Sequence, residues 1–164
     1  MLMVSNIKEN IDIEYCAFLD EEGGTFNLVS TINNEEGVNL SEGESCLIRI
    51  NSDSFLQKLE LIFSNPSKTD YNAFTYSKKV SGVPVFNPND FIKSKEEPVI
   101  LKYKEGSIIL LGQTKLKKCD ICLVGNGIKY YILKNEVIAI EVSELIQDYG
   151  GTKQIQWLEK RNIL

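Results

Sequence analysis

The chain has 164 residues, 43% hydrophobic and 25% charged, with a net charge of −5 and a pI of about 4.9. These values exclude the disordered, collagen-like and disulfide-dense classes and describe a globular chain able to bury a core of its own. No histidine is present, which removes His-activated hydrolysis, His-ligated zinc or iron, and imidazole acid–base chemistry.

No apolar run approaches the roughly 18 residues of a spanning helix, and the start from Met1 to Asn6 lacks the basic and long apolar regions of an export signal. A soluble cytoplasmic protein with no membrane association is expected. The four cysteines, Cys16, Cys46, Cys119 and Cys122, read as reduced thiols, three of them inside apolar stretches. One domain, residues 1–164, is expected. It divides into an acidic half (1–66), an irregular connection (67–97), a β-meander (98–142) and a C-terminal helical segment (143–164).

In chain order, Ile11 to Leu19 is a strand candidate with both faces partly covered. A turn over Asp20-Glu21-Glu22-Gly23-Gly24 returns it through Thr25 to Ile32. A long acidic loop, Asn33 to Glu44, leads to a strand at Ser45 to Ile50. Phe55, Leu56, Leu59, Ile62 and Phe63 recur at helical spacing behind a Ser52 or Asp53 cap, which predicts a helix ended by Asn65-Pro66.

From Ser67 to Glu97, Gly82, Pro84 and Pro88 break any long element, leaving at most a helical turn at Asn89 to Ser94. A meander follows through Val99 to Tyr103, Ser107 to Leu116, Cys119 to Val124, Ile128 to Leu133 and Val137 to Val142, with a hairpin at Gly125-Asn126-Gly127. Helices are predicted at Ser143 to Tyr149 and at Thr152 to Arg161. No internal repeat is visible. The fold class expected is α+β, predominantly antiparallel β, as a curved sheet or partly open barrel with two or three helices packed on it.

Charge is unevenly placed. Residues 1–60 carry 12 acidic and 3 basic side chains, whereas residues 61–135 carry 6 acidic and 12 basic ones. If these segments fold onto different faces, one attracts cationic partners and the other anionic ones.

Three constellations carry candidate chemistry. The loop acids Asp20, Glu21, Glu22, Glu35, Glu36, Glu42 and Glu44 form a candidate docking surface for a protein with a basic surface, by electrostatic steering. They match no calcium-loop or glycosidase spacing. In the meander, Lys102, Tyr103, Lys104, Lys115, Lys117 and Lys118, with Tyr71, Phe74, Tyr76, Lys78 and Lys79, form an alternative surface for nucleic acid or a phosphoryl ligand. Cys119 and Cys122 have the C-x-x-C spacing of half a zinc site or a redox dithiol, completed only if Cys16 and Cys46 converge on them. The reading favours structural thiols, with no metal and no cofactor.

The chain has no phosphate-binding loop, dinucleotide fingerprint or nucleophile elbow. The expected role is therefore non-enzymatic: a small acidic protein-binding module of inhibitor, immunity or accessory type. The alternative is the lysine-bearing nucleic-acid or phosphoryl-ligand module, and the third reading is a histidine-independent enzyme.

Overall fold

The computed structural model describes residues 1–33, 36–63, 74–94, 96–103, 106–112 and 118–163. Fourteen strands lie among them: β1 (Val4–Lys8), β2 (Tyr15–Asp20), β3 (Thr25–Ser30), β4 (Gly37–Glu42), β5 (Cys46–Asn51), β6 (Leu56–Ile62), β7 (Thr75–Ser81), β8 (Val83–Phe86), β9 (Val99–Tyr103), β10 (Gly106–Leu110), β11 (Lys118–Val124), β12 (Ile128–Leu133), β13 (Glu136–Val142) and β14 (Leu145–Gln147). One α-helix, α1 (Thr152–Lys160), follows them.

The strands build two six-stranded sheets, in the orders β14-β2-β3-β6-β5-β4 and β7-β11-β12-β13-β10-β9, and a separate β1-β8 ribbon. Among the described residues all pairings between these strands are antiparallel except β14 with β2 and β7 with β11. The central core lies between the sheets. Ala17, Leu28, Ile48 and Leu59 of the first meet Ile109, Leu123, Tyr130 and Ile140 of the second in one buried cluster, joined by Leu2, Val83 and Phe86 from the ribbon region.

Period-two alternation accounts for most of this. In β5, Cys46, Ile48 and Ile50 are buried while Leu47 is exposed. In β2 both faces are covered, as expected: Tyr15, Ala17 and Leu19 enter the central core, and Cys16 and Phe18 pack beneath Trp157 and Leu158 of α1.

The fold is thus β-rich, but it is not a closed barrel, and among the described residues it has one α-helix rather than two or three. The helix expected after Ser52 is instead β6. Arg49 pairs with Lys58 and Ile50 with Leu56, so Gln57 is an extra residue, a β-bulge. A bulge inverts the side-chain alternation, which puts Leu56 and Leu59, three residues apart, on the same buried face and imitates helical spacing.

The helix expected at Ser143 to Tyr149 is the edge strand β14, while the one from Thr152 onward is α1. The acidic loop from Asn33 contains β4. The irregular region contains β7 and β8, on either side of Gly82, whose φ of 151° no other residue adopts readily. The meander is also not consecutive, because β10 pairs with β13 and β9 rather than with β11.

That departure exposes a regularity the sequence hides. The path β2-β3-β6-β5-β4 in one sheet is the same as β9-β10-β13-β12-β11 in the other, each with three hairpin-linked strands returning beside an earlier one, in Greek-key fashion. The register irregularity between Arg49 and Ile50 recurs 82 residues later, between Tyr131 and Ile132. The shared feature is packing, not identity: Leu28 corresponds to Ile109, Ile48 to Tyr130, Leu59 to Ile140 and Leu61 to Val142, all in the central core.

At one corresponding pair the match fails. Phe26 fills its place with a ring, whereas its counterpart Ser107 is 1% exposed with a hydroxyl that has no partner among the described residues. A buried, unpaired hydroxyl opposes folding. Ser107→Ala is therefore expected to leave stability unchanged or raise it by about 0.5–1 kcal/mol; a loss above about 1 kcal/mol in urea unfolding would refute that account.

Candidate functional site

The turns after β2 and after β4 lie at the same end of the first sheet, because β2, β6 and β4 run in the same direction across it. Both are tied to the end of β6. Phe63 N–H donates to Gly24 O at 2.8 Å, and Ile62 N–H donates to Ser45 O at 2.9 Å. Asp20, Glu21 and Glu22 on one side of Ile62, and Glu42 and Glu44 on the other, are therefore brought to one end. Glu36 precedes β4 and sits at the opposite end. Glu35 lies outside the described residues.

These acids differ in what they do locally. Asp20 holds its own turn, accepting from Gly23 N–H at 2.8 Å and from Gly150 N–H at 3.3 Å. Glu21 is paired with Lys102 of β9. Glu42 is fully buried and accepts from the Met1 amino group at 2.5 Å and from Ser94 N–H at 2.9 Å, so it is a structural acid and no docking residue. Glu22 and Glu44 are exposed.

The sequence reading missed Glu97. Its carboxylate accepts from Glu44 N–H at 2.6 Å, from Ser45 N–H at 3.2 Å and from the Ser45 hydroxyl, which together hold it below the usual carboxylate range, the hydroxyl most of all. Glu97 precedes β9, and Lys102 near its far end reaches Glu21, so β9 crosses the ends of the first sheet's strands.

The reading also missed two apolar side chains. Leu47 is 44% exposed and Ile62 is 59% exposed. Leu47 lies opposite Glu60, two pairs along from the Ile62–Ser45 contact, so Leu47 and Ile62 are diagonal neighbours on the face turned away from the core. The alternation of β5 already points Leu47 outward. Ile62 was hidden by the helical reading of β6.

The two halves of the charge pattern fall into different layers. Residues 15–62, which supply β2 to β6, hold nine acidic and two basic side chains. Both cations are engaged: Arg49 donates to Gln57 at 3.2 Å and Asn39 at 3.0 Å, and Lys58 pairs with Glu60 at 3.0 Å.

Of the lysine set, the described members Lys102 and Lys118 do not meet. Lys102 is on β9, one edge of the second sheet, and Lys118 is on β11, next to the other edge. Tyr103 is on β9 as expected, whereas Tyr71, Lys104, Lys115 and Lys117 lie outside the described residues. Phe74 is buried, stacked on Tyr131 at 4.5 Å, while Tyr76, Lys78 and Lys79 are exposed on β7.

The cysteines do not converge either. Cys16 belongs to the cluster under α1, Cys46 to the central core, and Cys119 and Cys122 to an apolar cluster with Phe74 and Tyr131. Burial pushes the Cys119 thiol up to about 11 and raises Cys122 as well, the reverse of what a metal ligand or redox thiolate needs. A four-cysteine zinc site is ruled out by this separation.

A cavity of about 480 Å³ lies between α1 and the β11–β12 turn, lined among others by Glu14, Cys16, Asn126, Glu144, Trp157 and Arg161. Two of its charges, Glu14 and Arg161, are paired with each other. Arg161 donates twice to Glu14, at 3.0 and 2.8 Å, and lies 3.9 Å over the Trp157 ring. The Arg161 hydrogen bonds hold Glu14 below the usual carboxylate range, against a smaller opposing effect of burial.

Because Glu14 is depressed in the fold, its contribution is present above its unfolded value and is lost as pH falls through its folded one. As pH falls through the depressed folded value of Glu14, below the usual carboxylate range, Arg161 is expected to leave Glu14 and shift the emission of Trp157, the single tryptophan. Glu14→Gln should abolish that acid-side transition; a variant that keeps it would assign the transition to another group.

Compared with known proteins, the chain matches no family model and is similar in sequence to no curated protein.

Proposed function

We propose that this chain is a small, acidic, non-enzymatic protein-binding module, of inhibitor, immunity or accessory type, that docks on a cationic protein. The observation that carries this reading is the end of the first sheet, where exposed Leu47 and Ile62 stand between turns bearing Glu22 and Glu44. Apolar side chains that exclude water, rimmed by like charges that steer a partner in, are the ordinary composition of a transient protein interface. The layered charge supports the same reading, since the first sheet's few cations are already engaged within it.

The lysine-bearing alternative has less support. It needs Lys102 and Lys118 on one surface, but they stand four strands apart, and Lys102 is committed to Glu21.

The test is capture of partners from a lysate with and without nuclease treatment, using wild type and the double variant Glu22→Lys, Glu44→Lys. Both positions are exposed, so the variant is expected to keep the wild-type circular dichroism and melting behaviour. Its association rate with the captured partner should fall by about tenfold at low salt, a difference that high salt removes. Equal rates at low salt would reject the acidic end as the docking surface, and retention of nucleic acid alone would shift the function to the lysine surface.

A further inference from the structure

The two sheets share a strand path, but their corresponding edges are finished differently. β4 in the first sheet corresponds to β11 in the second. The outer edge of β11 is covered by β7, running parallel to it over the positions from Lys118 with Thr75 to Val124 with Ser81. Among the described residues, β4 pairs with β5 and with no other strand.

The register fixes which backbone groups are left over. Ser52 N–H donates to Glu36 O, so Glu36–Ser52 is a hydrogen-bonded pair, and Val38–Ile50 and Leu40–Ile48 follow it at alternate positions. The N–H and C=O groups of Gly37, Asn39 and Ser41 therefore point away from β5.

Such an edge is normally guarded by lysine, proline or a bulge. β7, the outermost strand of the other sheet, carries Lys78 and Lys79. β4 runs Gly-Val-Asn-Leu-Ser before Glu42, with no charge, no proline and an unbroken six-pair register. Val38 at its start is 47% exposed.

We infer that the outer edge of β4 is a strand-addition site for an extended, lysine-bearing segment of a partner protein. The segment lies parallel to β4, as β7 lies on β11, with its lysines drawn to the acidic layer to which β4 belongs. The main chain supplies the ladder, and charge selects the occupant. A second copy of this chain is the poorer fit. Two β4 strands in antiparallel contact would set the Glu36 end of each against the Glu44 end of the other, and both chains carry −5.

This inference rests on the reading that the protein docks a cationic partner, and it names the form of the docked segment. The chain's own β7 sequence, as the capped peptide Thr-Tyr-Ser-Lys-Lys-Val-Ser, is a suitable probe. Titrated into the labelled protein, it should shift the amide resonances of Gly37, Asn39 and Ser41 and slow their exchange with solvent.

Ser41→Pro tests the edge itself, because the Ser41 N–H lies outside the β4–β5 ladder and its loss leaves that ladder intact. It should weaken peptide binding at least tenfold. Ser41→Lys, which adds a guard without constraining the backbone, should do the same and stands in if the proline variant does not fold.

Shifts confined to β7 or β11, an unchanged affinity in both Ser41 variants, or no binding at millimolar peptide would overturn the inference, as would a dimer of the chain that Ser41→Lys disperses. The partner captured from lysate separates the two claims. Loss on reversing Glu22 and Glu44 but retention by the Ser41 variants leaves the docking surface standing and removes the strand addition; loss of neither removes both.

Discussion

One extra residue in each of two strands sets the shape on which the rest of the structure depends. Gln57 in β6 and Ile138 in β13 are skipped by their partners in β5 and β12. Each bulge shifts the alternation, so that Leu56 with Leu59, and Val137 with Ile140, face the central core. Bulges also bend and twist the strand that carries them. β9 crosses the ends of the first sheet, while β2 reaches the β11–β12 turn of the second, where Tyr15 N–H donates to Asn126 O at 3.1 Å. Each sheet thus closes an end of the other, and the core is enclosed without a continuous barrel.

This arrangement gives the charge pattern a spatial meaning. The acidic residues 15–62 supply five strands of one layer, and the lysine-bearing residues 75–142 supply the six strands of the other and the ribbon strand β8. The central core separates the layers, and the ion pair described between them, Glu21 with Lys102, lies where they touch at the rim. The exposed part of the acidic layer keeps its sign, and that part also carries Leu47 and Ile62.

Much of the β architecture was legible in the sequence because alternation is a local signal. β2, β3, β5, β12 and β13, and the turns at Asp20 and Gly125, follow from residue patterns within a few positions. β6 was not legible, since a bulge is defined by the partner strand and leaves a spacing that a helix also produces. The path of β10 to β13 was hidden for the same reason: pairing between strands separated by other strands has no trace in local periodicity. Of the site, the two acidic turns could be found from composition alone. Their meeting at one end required the topology, and so did the burial of Glu42, whose exposed neighbour Glu44 is chemically identical in sequence.

The repeated strand path separates what the fold requires from what it merely permits. Where both halves place a large apolar residue at the same point, as with Leu28 and Ile109 or Leu61 and Val142, packing alone explains the choice. Where they differ, packing is satisfied by either solution, and the difference needs another cause. One half ends its corresponding edge with β7, covered by a strand bearing two lysines. The other ends with β4, uncharged along five residues and lying beside acidic turns. The fold covers such an edge with seven of its own residues at β11, and among the described residues no strand does the same for β4, so packing alone does not account for the difference on which the inferred strand addition rests.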